Sequence, residues 1–187
     1  MRRIWIILIL TITIQTQIMA EHTKLIPKVL KWEGGFANNA NDKGGATNSG
    51  VTLSTFRSVY GRNKTVKDLK KMTFEQWEYI FKTRYWDKWQ GDSIESQAIA
   101  DFVVDWYWHS GIYGIKYPQQ ILGVEADGIV GKKTLNAINN HPFPEELFKA
   151  LWERRKQQFD NIVKKNPKQK VFYRGWINRI QDYSYFE

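Results

Sequence analysis

Apolar residues recur at three- and four-residue spacing along most of the chain, which predicts a mainly α-helical protein with irregular connections. Leu25, Ile26, Val29, Leu30 and Trp32 mark a first short amphipathic helix, with Pro27 in its first turn and Gly34-Gly35 ending it. Further helices are predicted over 52–60, over 73–86 and from 93 to about 109. In the second of these, Thr73 and Gln76 have capping-box spacing, and Phe74, Trp77, Phe81 and Tyr85 form the stripe. In the third, Ile94, Ala98, Ile99, Phe102, Val103, Trp106 and Tyr107 share one broad face, as a helix in the middle of a domain requires. Asp101, Asp105 and His109 make a second line at i, i+4, i+8, which is either a solvated face or one turned to a cleft.

Two stretches break the helical pattern. Residues 36–50 (FANNANDKGGATNSG) hold four Asn and three Gly and read as a long loop or a small hairpin. Near Lys116 the texture changes to a smaller unit, in which an Asp127-Gly128 turn leads to a helix. A long helix follows from 144 to about 163, with Leu147, Phe148, Leu151, Trp152, Phe159, Ile162 and Val163 as its stripe. No flexible linker separates the parts, so a region at 21–115 and a helical one at 116–187 are expected to pack into one body.

The first twenty residues read as an export signal: Met1-Arg2-Arg3, then an apolar run from Ile4 to Ile14, then polar residues up to Ala20, after which cleavage is expected. The run is about half of the ~20 residues that span a bilayer, so no membrane span is expected in the mature chain. Ile18, in place of a small residue, leaves a retained N-terminal anchor as the alternative. The 187 residues are 42% hydrophobic and 15% aromatic, too rich in large apolar side chains for disorder. With no Cys, disulfides, thiolate zinc sites and cysteine nucleophiles are excluded, and three scattered His residues make a metal centre unexpected. The net charge is +9, and losing the first segment removes two Arg and no acid, which leaves +7. A basic exported protein meets anionic polymers; no nucleic-acid motif accompanies the Lys and Arg runs at 154–170, so the cell envelope is the expected partner.

Candidate chemistry concentrates between Trp32 and Gly50. Glu33 follows an apolar turn, lies beside Trp32 and stands at the C-terminal end of its helix. Partial burial and the negative end of the helix dipole both favour a protonated carboxyl, as a general acid needs. Asp42 and Thr47 follow in the polar loop. An acid, a nearby carboxylate and a hydroxyl that holds a water are the minimum equipment for hydrolysing a glycosidic bond. The plainer reading makes Glu33 a surface residue, Asp42 the start of an Asx-turn and Gly44-Gly45 a turn.

The stretch EGGFANNANDKGGATNSGVT resembles the signature of glycoside hydrolase family 108, an EGG box followed by D-x-GG-x-T-x-x-G. The likeness extends through Tyr85-Trp86, Asp105 to Gly111, QQILGVEADGIVGKKTL and Tyr173-Arg174-Gly175-Trp176-Ile177-Asn178-Arg179, and the stretch from about Lys116 is similar to the predicted peptidoglycan-binding domain that usually completes these proteins. Lys43 stands where the family commonly has Pro, and His109 where Asn is expected. The resemblance implies a lysozyme-like helical fold that cleaves the β-1,4 bond between N-acetylmuramic acid and N-acetylglucosamine without a cofactor. On that analogy Glu33 is the catalytic acid, with Asp42 and Thr47 assisting. The Glu-x8-Asp-x4-Thr spacing is one residue short of the phage-type lysozyme pattern.

Asn48, Trp86, Asp105, Trp108 and His109 are the substrate-binding candidates, and aromatic rings that stack on sugar faces fit them. Asp105 is also a candidate second carboxylate. The expected partner is the peptidoglycan glycan strand, met by a monomer in the periplasm or at the cell wall. A lytic transglycosylase using the same Glu, and a non-catalytic wall-binding or secretion-assisting protein, are the rival readings.

Overall fold

In a computed structural model that describes residues 19–38 and 45–186, the first helix, α1 (His22–Trp32), buries Leu25, Ile26 and Val29 against the centre of the molecule. The expected export segment lies almost wholly outside the described residues, and so does Asp42. Ala20 is buried, and its N–H donates to the Ile94 carbonyl at 2.9 Å. Helix α1 starts earlier than its apolar stripe, which moves Pro27 out of the first turn. Its start is set by tertiary contact: Gln97 accepts from the Glu21 N–H at 2.8 Å and donates to the Glu21 carbonyl at 3.1 Å.

The described end of the polar loop, from residue 45 on, enters a small hairpin. Strands β1 (Thr47–Asn48) and β2 (Val51–Thr52) pair antiparallel, Thr47 with Thr52 and Asn48 with Val51. Ser49 and Gly50 make the turn with φ of 46° and 76°, the two positive values that a tight two-residue hairpin demands. Thr52 then caps α2 (Leu53–Tyr60) by accepting from the Thr55 N–H. Helix α3 (Val66–Lys70), which apolar periodicity does not reveal, is marked by a Thr65/Asp68 capping box. The Thr73/Gln76 box expected from the sequence opens α4 (Phe74–Phe81). The predicted helix over 73–86 does not stay regular, and residues Lys82–Trp86 form a π-helical turn that carries Trp86 into the core.

Helix α5 (Gln97–Ser110) is the central element. Ser96 caps it, and every residue from Ile99 to Trp106 is buried. It starts later than the periodicity suggests because Gly91–Ser93 form a separate 3-10 turn. Around it pack α1, α6 (Tyr113–Ile121) and the long α8 (Pro144–Lys165), and α7 (Lys132–Asn139) is tied to the turn before α5 by Asn139, which donates to the Ser93 carbonyl at 2.7 Å. Helix α9 (Lys170–Gln181) returns along α8. Phe102 meets Phe148 at 5.2 Å and Tyr183 edge-on at 5.7 Å, and the Trp106 indole donates to Gln158 at 2.6 Å. Each such fully buried ring contributes about 1.5–3 kcal/mol by leaving water. No helix among the described residues is long and apolar enough to cross a membrane.

Candidate active site

Glu33 is the residue at which the chain leaves α1. Its N–H still bonds the Leu30 carbonyl at 3.2 Å while its backbone has turned extended. Two bonds hold this helix end in place: the Trp32 indole donates to Asp182 at 2.6 Å, and Lys31 pairs with the same carboxylate at 2.6 Å, which ties α1 to the residue after α9. The Glu33 side chain is 15% exposed. Its Oε1 accepts two bonds, from Trp108 Nε1 at 2.7 Å and from Arg179 Nη1 at 2.8 Å. Its Oε2 points toward the hairpin, where a Cβ on Gly50 would lie 2.5 Å from it. The turn is set by Trp77 of α4, whose indole donates to the Ser49 carbonyl at 2.9 Å. The hairpin is also bridged to residues just after the EGG box, through paired backbone bonds between Ala37 and Thr47 at 2.9 and 2.8 Å.

Behind Glu33 lies a buried ionic cluster. Arg179 donates to Asp105 through Nε at 3.1 Å and Nη2 at 2.6 Å while its Nη1 reaches Glu33, so one planar guanidinium links the two carboxylates. Arg155, wholly buried, donates to Asp105 from the other side at 2.8 Å. Its guanidinium also lies 5.2 Å from the Phe102 ring centre. Two carboxylates and two guanidiniums balance, which is the condition on which charges are tolerated in a core. Burial alone would raise the Asp105 pKa, but Arg155 and Arg179 reverse it and hold the carboxyl well below the usual range. His109 sits beside them, and burial, with the two arginines adding, pushes it down to about 3, so the ring is neutral at physiological pH.

The cleft in front of Glu33 has a volume of about 500 Å³. One wall is formed by Trp32, Trp108 and the Gly50 turn, the other by Phe172, Gly175 and Trp176 of α9. Among the described residues Glu33 is the one carboxylate that lines it. No group of three His, Cys, Asp or Glu residues among them converges as a metal cage.

Of the residues singled out in the sequence, the fold brings Glu33, Trp108 and His109 to this cleft. Trp108 is placed to orient the carboxyl: its ring packs among Trp77, Phe81 and Tyr85, and its N–H goes to Glu33. Four other candidates are not cleft residues. Asp105 is fully buried with both oxygens on arginines, so it neither touches substrate nor serves as a free second carboxylate. Trp86 is also fully buried, its indole donating to Asp92 at 2.7 Å. Asn48 donates to the Leu69 carbonyl at 2.9 Å, which satisfies the last turn of α3. Thr47 serves the hairpin through its backbone and does not line the cleft. The polar line along α5 is thus not a solvated face: Asp101 and Asp105 are buried and bonded, Asp101 to Gln97, and only His109 reaches the cleft.

Sequence reasoning missed Gly50, Arg155, Phe172, Trp176 and Arg179 as parts of the site. The Tyr173 to Arg179 word carried two of them, Trp176 and Arg179, but nothing local said that this segment returns to Glu33.

The glycosyl hydrolase 108 model matches residues 26–111, and the model described as a predicted peptidoglycan domain matches residues 113–181. The solved structure of SagA from Brucella abortus superposes with a TM-score of 0.73 at 30% identity, covering 86% of this chain and 89% of that one. No curated protein matches the chain.

Proposed function

The chain belongs to the glycosyl hydrolase 108 family, and from that premise we propose that it is an exported muramidase that cleaves the β-1,4 bond between N-acetylmuramic acid and N-acetylglucosamine, with Glu33 as its general acid. The observation that carries this reading is the asymmetry of the Glu33 carboxyl. Oε1 is engaged by two N–H donors, and Oε2 faces the space kept open by Gly50. Oε2 is therefore the oxygen placed to hand a proton to the substrate. When it passes to the leaving glycosidic oxygen, the negative charge that develops on Glu33 is met by donors already bonded to Oε1.

The peptidoglycan-related model over 113–181 supports a peptidoglycan partner, and the basic charge suits an anionic envelope. Asp42 is proposed to steady positive charge on the sugar or to position water, with the chain acting as a monomer. A lytic transglycosylase is the second reading. It is favoured by the fact that Glu33 is the one carboxylate among the described residues lining the cleft, since that reaction uses a single acid and the substrate's own hydroxyl. Mass spectrometry of purified peptidoglycan digested by the chain separates the two. Reducing muramic ends support the muramidase, anhydromuramic ends move the assignment to the transglycosylase, and wall-bound protein without products overturns both.

A further inference from the structure

Helix α9 lies in the region matched by the peptidoglycan-related model, yet it is a wall of the Glu33 cleft. Phe172, Trp176 and Arg179 follow one another at four- and three-residue spacing and share a face of α9. Arg179 ends that face with its bond to Glu33, so the rings beside it run directly away from the acid along the cleft. Trp176 is held from behind by Phe159, at 5.2 Å between ring centres, and edge-on by His109 at 6.3 Å. Phe172 lies near-parallel to it at 6.2 Å and 27°, and is 54% exposed. A ring left this open on a helix, next to a braced Trp, is an apolar surface that none of the described residues covers.

Gly175, between these rings in the sequence, supplies an independent observation. Glycine inside a helix costs about 1 kcal/mol relative to Ala, and a packing reason normally offsets it. Here a Cβ would meet nothing within 4 Å among the described residues, so none of these neighbours requires the missing side chain. Gly175 lines the cleft, and what its absence of side chain preserves is the width of the cleft beside Phe172 and Trp176.

We propose that Phe172, Gly175 and Trp176 form a subsite for one pyranose ring of the glycan strand, continuous with Glu33. The C-terminal region then binds the wall polymer by completing the catalytic cleft. Sugar rings present C–H faces that stack on aromatic rings, and the gap at Gly175 gives room for the bulk of an N-acetylhexosamine. This inference rests on the reading of the chain as a peptidoglycan hydrolase.

The test is binding, measured by intrinsic tryptophan fluorescence of the full chain titrated with glycan strands freed of their stem peptides. Wild type, Glu33→Gln, Phe172→Ala, Gly175→Leu and Gly175→Ala are compared, with melting temperature as the check on folding. Gly175→Ala should melt no lower than wild type, because the space is open and Ala favours helix. Phe172→Ala and Gly175→Leu should weaken binding by about threefold to tenfold, the usual range for one aromatic contact, while Glu33→Gln still binds. Folded Phe172→Ala and Gly175→Leu chains that bind as tightly as a binding wild type would overturn the subsite and leave the hydrolase reading intact. A wild type that binds no glycan strand would overturn both.

Discussion

Replacing Gly50 by Ala places one methyl group where the acid and the hairpin meet. A Cβ there lies 2.5 Å from Glu33 Oε2, 2.6 Å from Trp108 Cζ2 and 2.9 Å from Glu33 Cδ, against the 3.4 Å at which ordinary contact begins. Something must shift by about 0.9 Å, and Trp108 cannot yield freely because it packs among Trp77, Phe81 and Tyr85. Glu33 or the hairpin turn therefore moves. A displacement of about 1 Å at a reacting group costs on the order of a hundredfold in rate. The φ of +76° adds about 1–2 kcal/mol of backbone strain for any L side chain, a loss that a stable domain survives. The expected outcome is a folded Gly50→Ala chain whose kcat on purified peptidoglycan falls about a hundredfold. Turbidity loss of a wall suspension gives the rate, and urea unfolding gives the stability. Wild-type turnover by the folded variant would refute the placement of Oε2 at the reacting face.

Trp108→Phe keeps the ring packing and deletes the N–H donor to Glu33 Oε1, so kcat should fall about ten- to a hundredfold with the fold retained, as turbidity assays and circular dichroism would record. Asp105→Asn leaves Arg155 buried without its anion and Arg179 with Glu33 alone, and chemical denaturation should show a loss of about 3–5 kcal/mol. His109 refuses a proton in the folded state down to about 3, whereas the unfolded chain accepts one from about 6.5 downward. Stability is therefore lost as pH falls between those values, at about 1.4 kcal/mol per unit from this residue. Asp105, whose carboxyl is also held low, adds to the loss in the same direction. Urea unfolding at pH 7 and pH 5 should differ by about 2 kcal/mol less in His109→Asn than in wild type, and an unchanged difference would remove His109 from the account.

The helices that are long or boxed by capping residues are legible in the sequence: the Thr73/Gln76 box and the stripes of α5 and α8 identify their elements. Short α3 is not, because five residues present too little periodicity, although its Thr65/Asp68 box is a readable signal. The π-helical turn at Lys82–Trp86 follows from packing Trp86 and not from any local preference. At the site, Glu33 is readable because helix end, aromatic neighbour and glycines are adjacent in the chain. Its partner Arg179 is 146 positions away, and only the return of α9 brings the two together. Asp105 illustrates the reverse case: helical spacing correctly aligns it with His109 but is silent about the two arginines that bury it.

The central claim is that the oxygen of Glu33 facing Gly50 delivers the proton that breaks the glycosidic bond. It is tested most directly by Glu33→Gln, which keeps an oxygen to accept from Trp108 and Arg179 and removes the acid. Wild type and variant, matched for folding by circular dichroism, are incubated with the same purified peptidoglycan, and released muropeptides are quantified. The account predicts products from wild type and none above background from Glu33→Gln; equal release by both would contradict it.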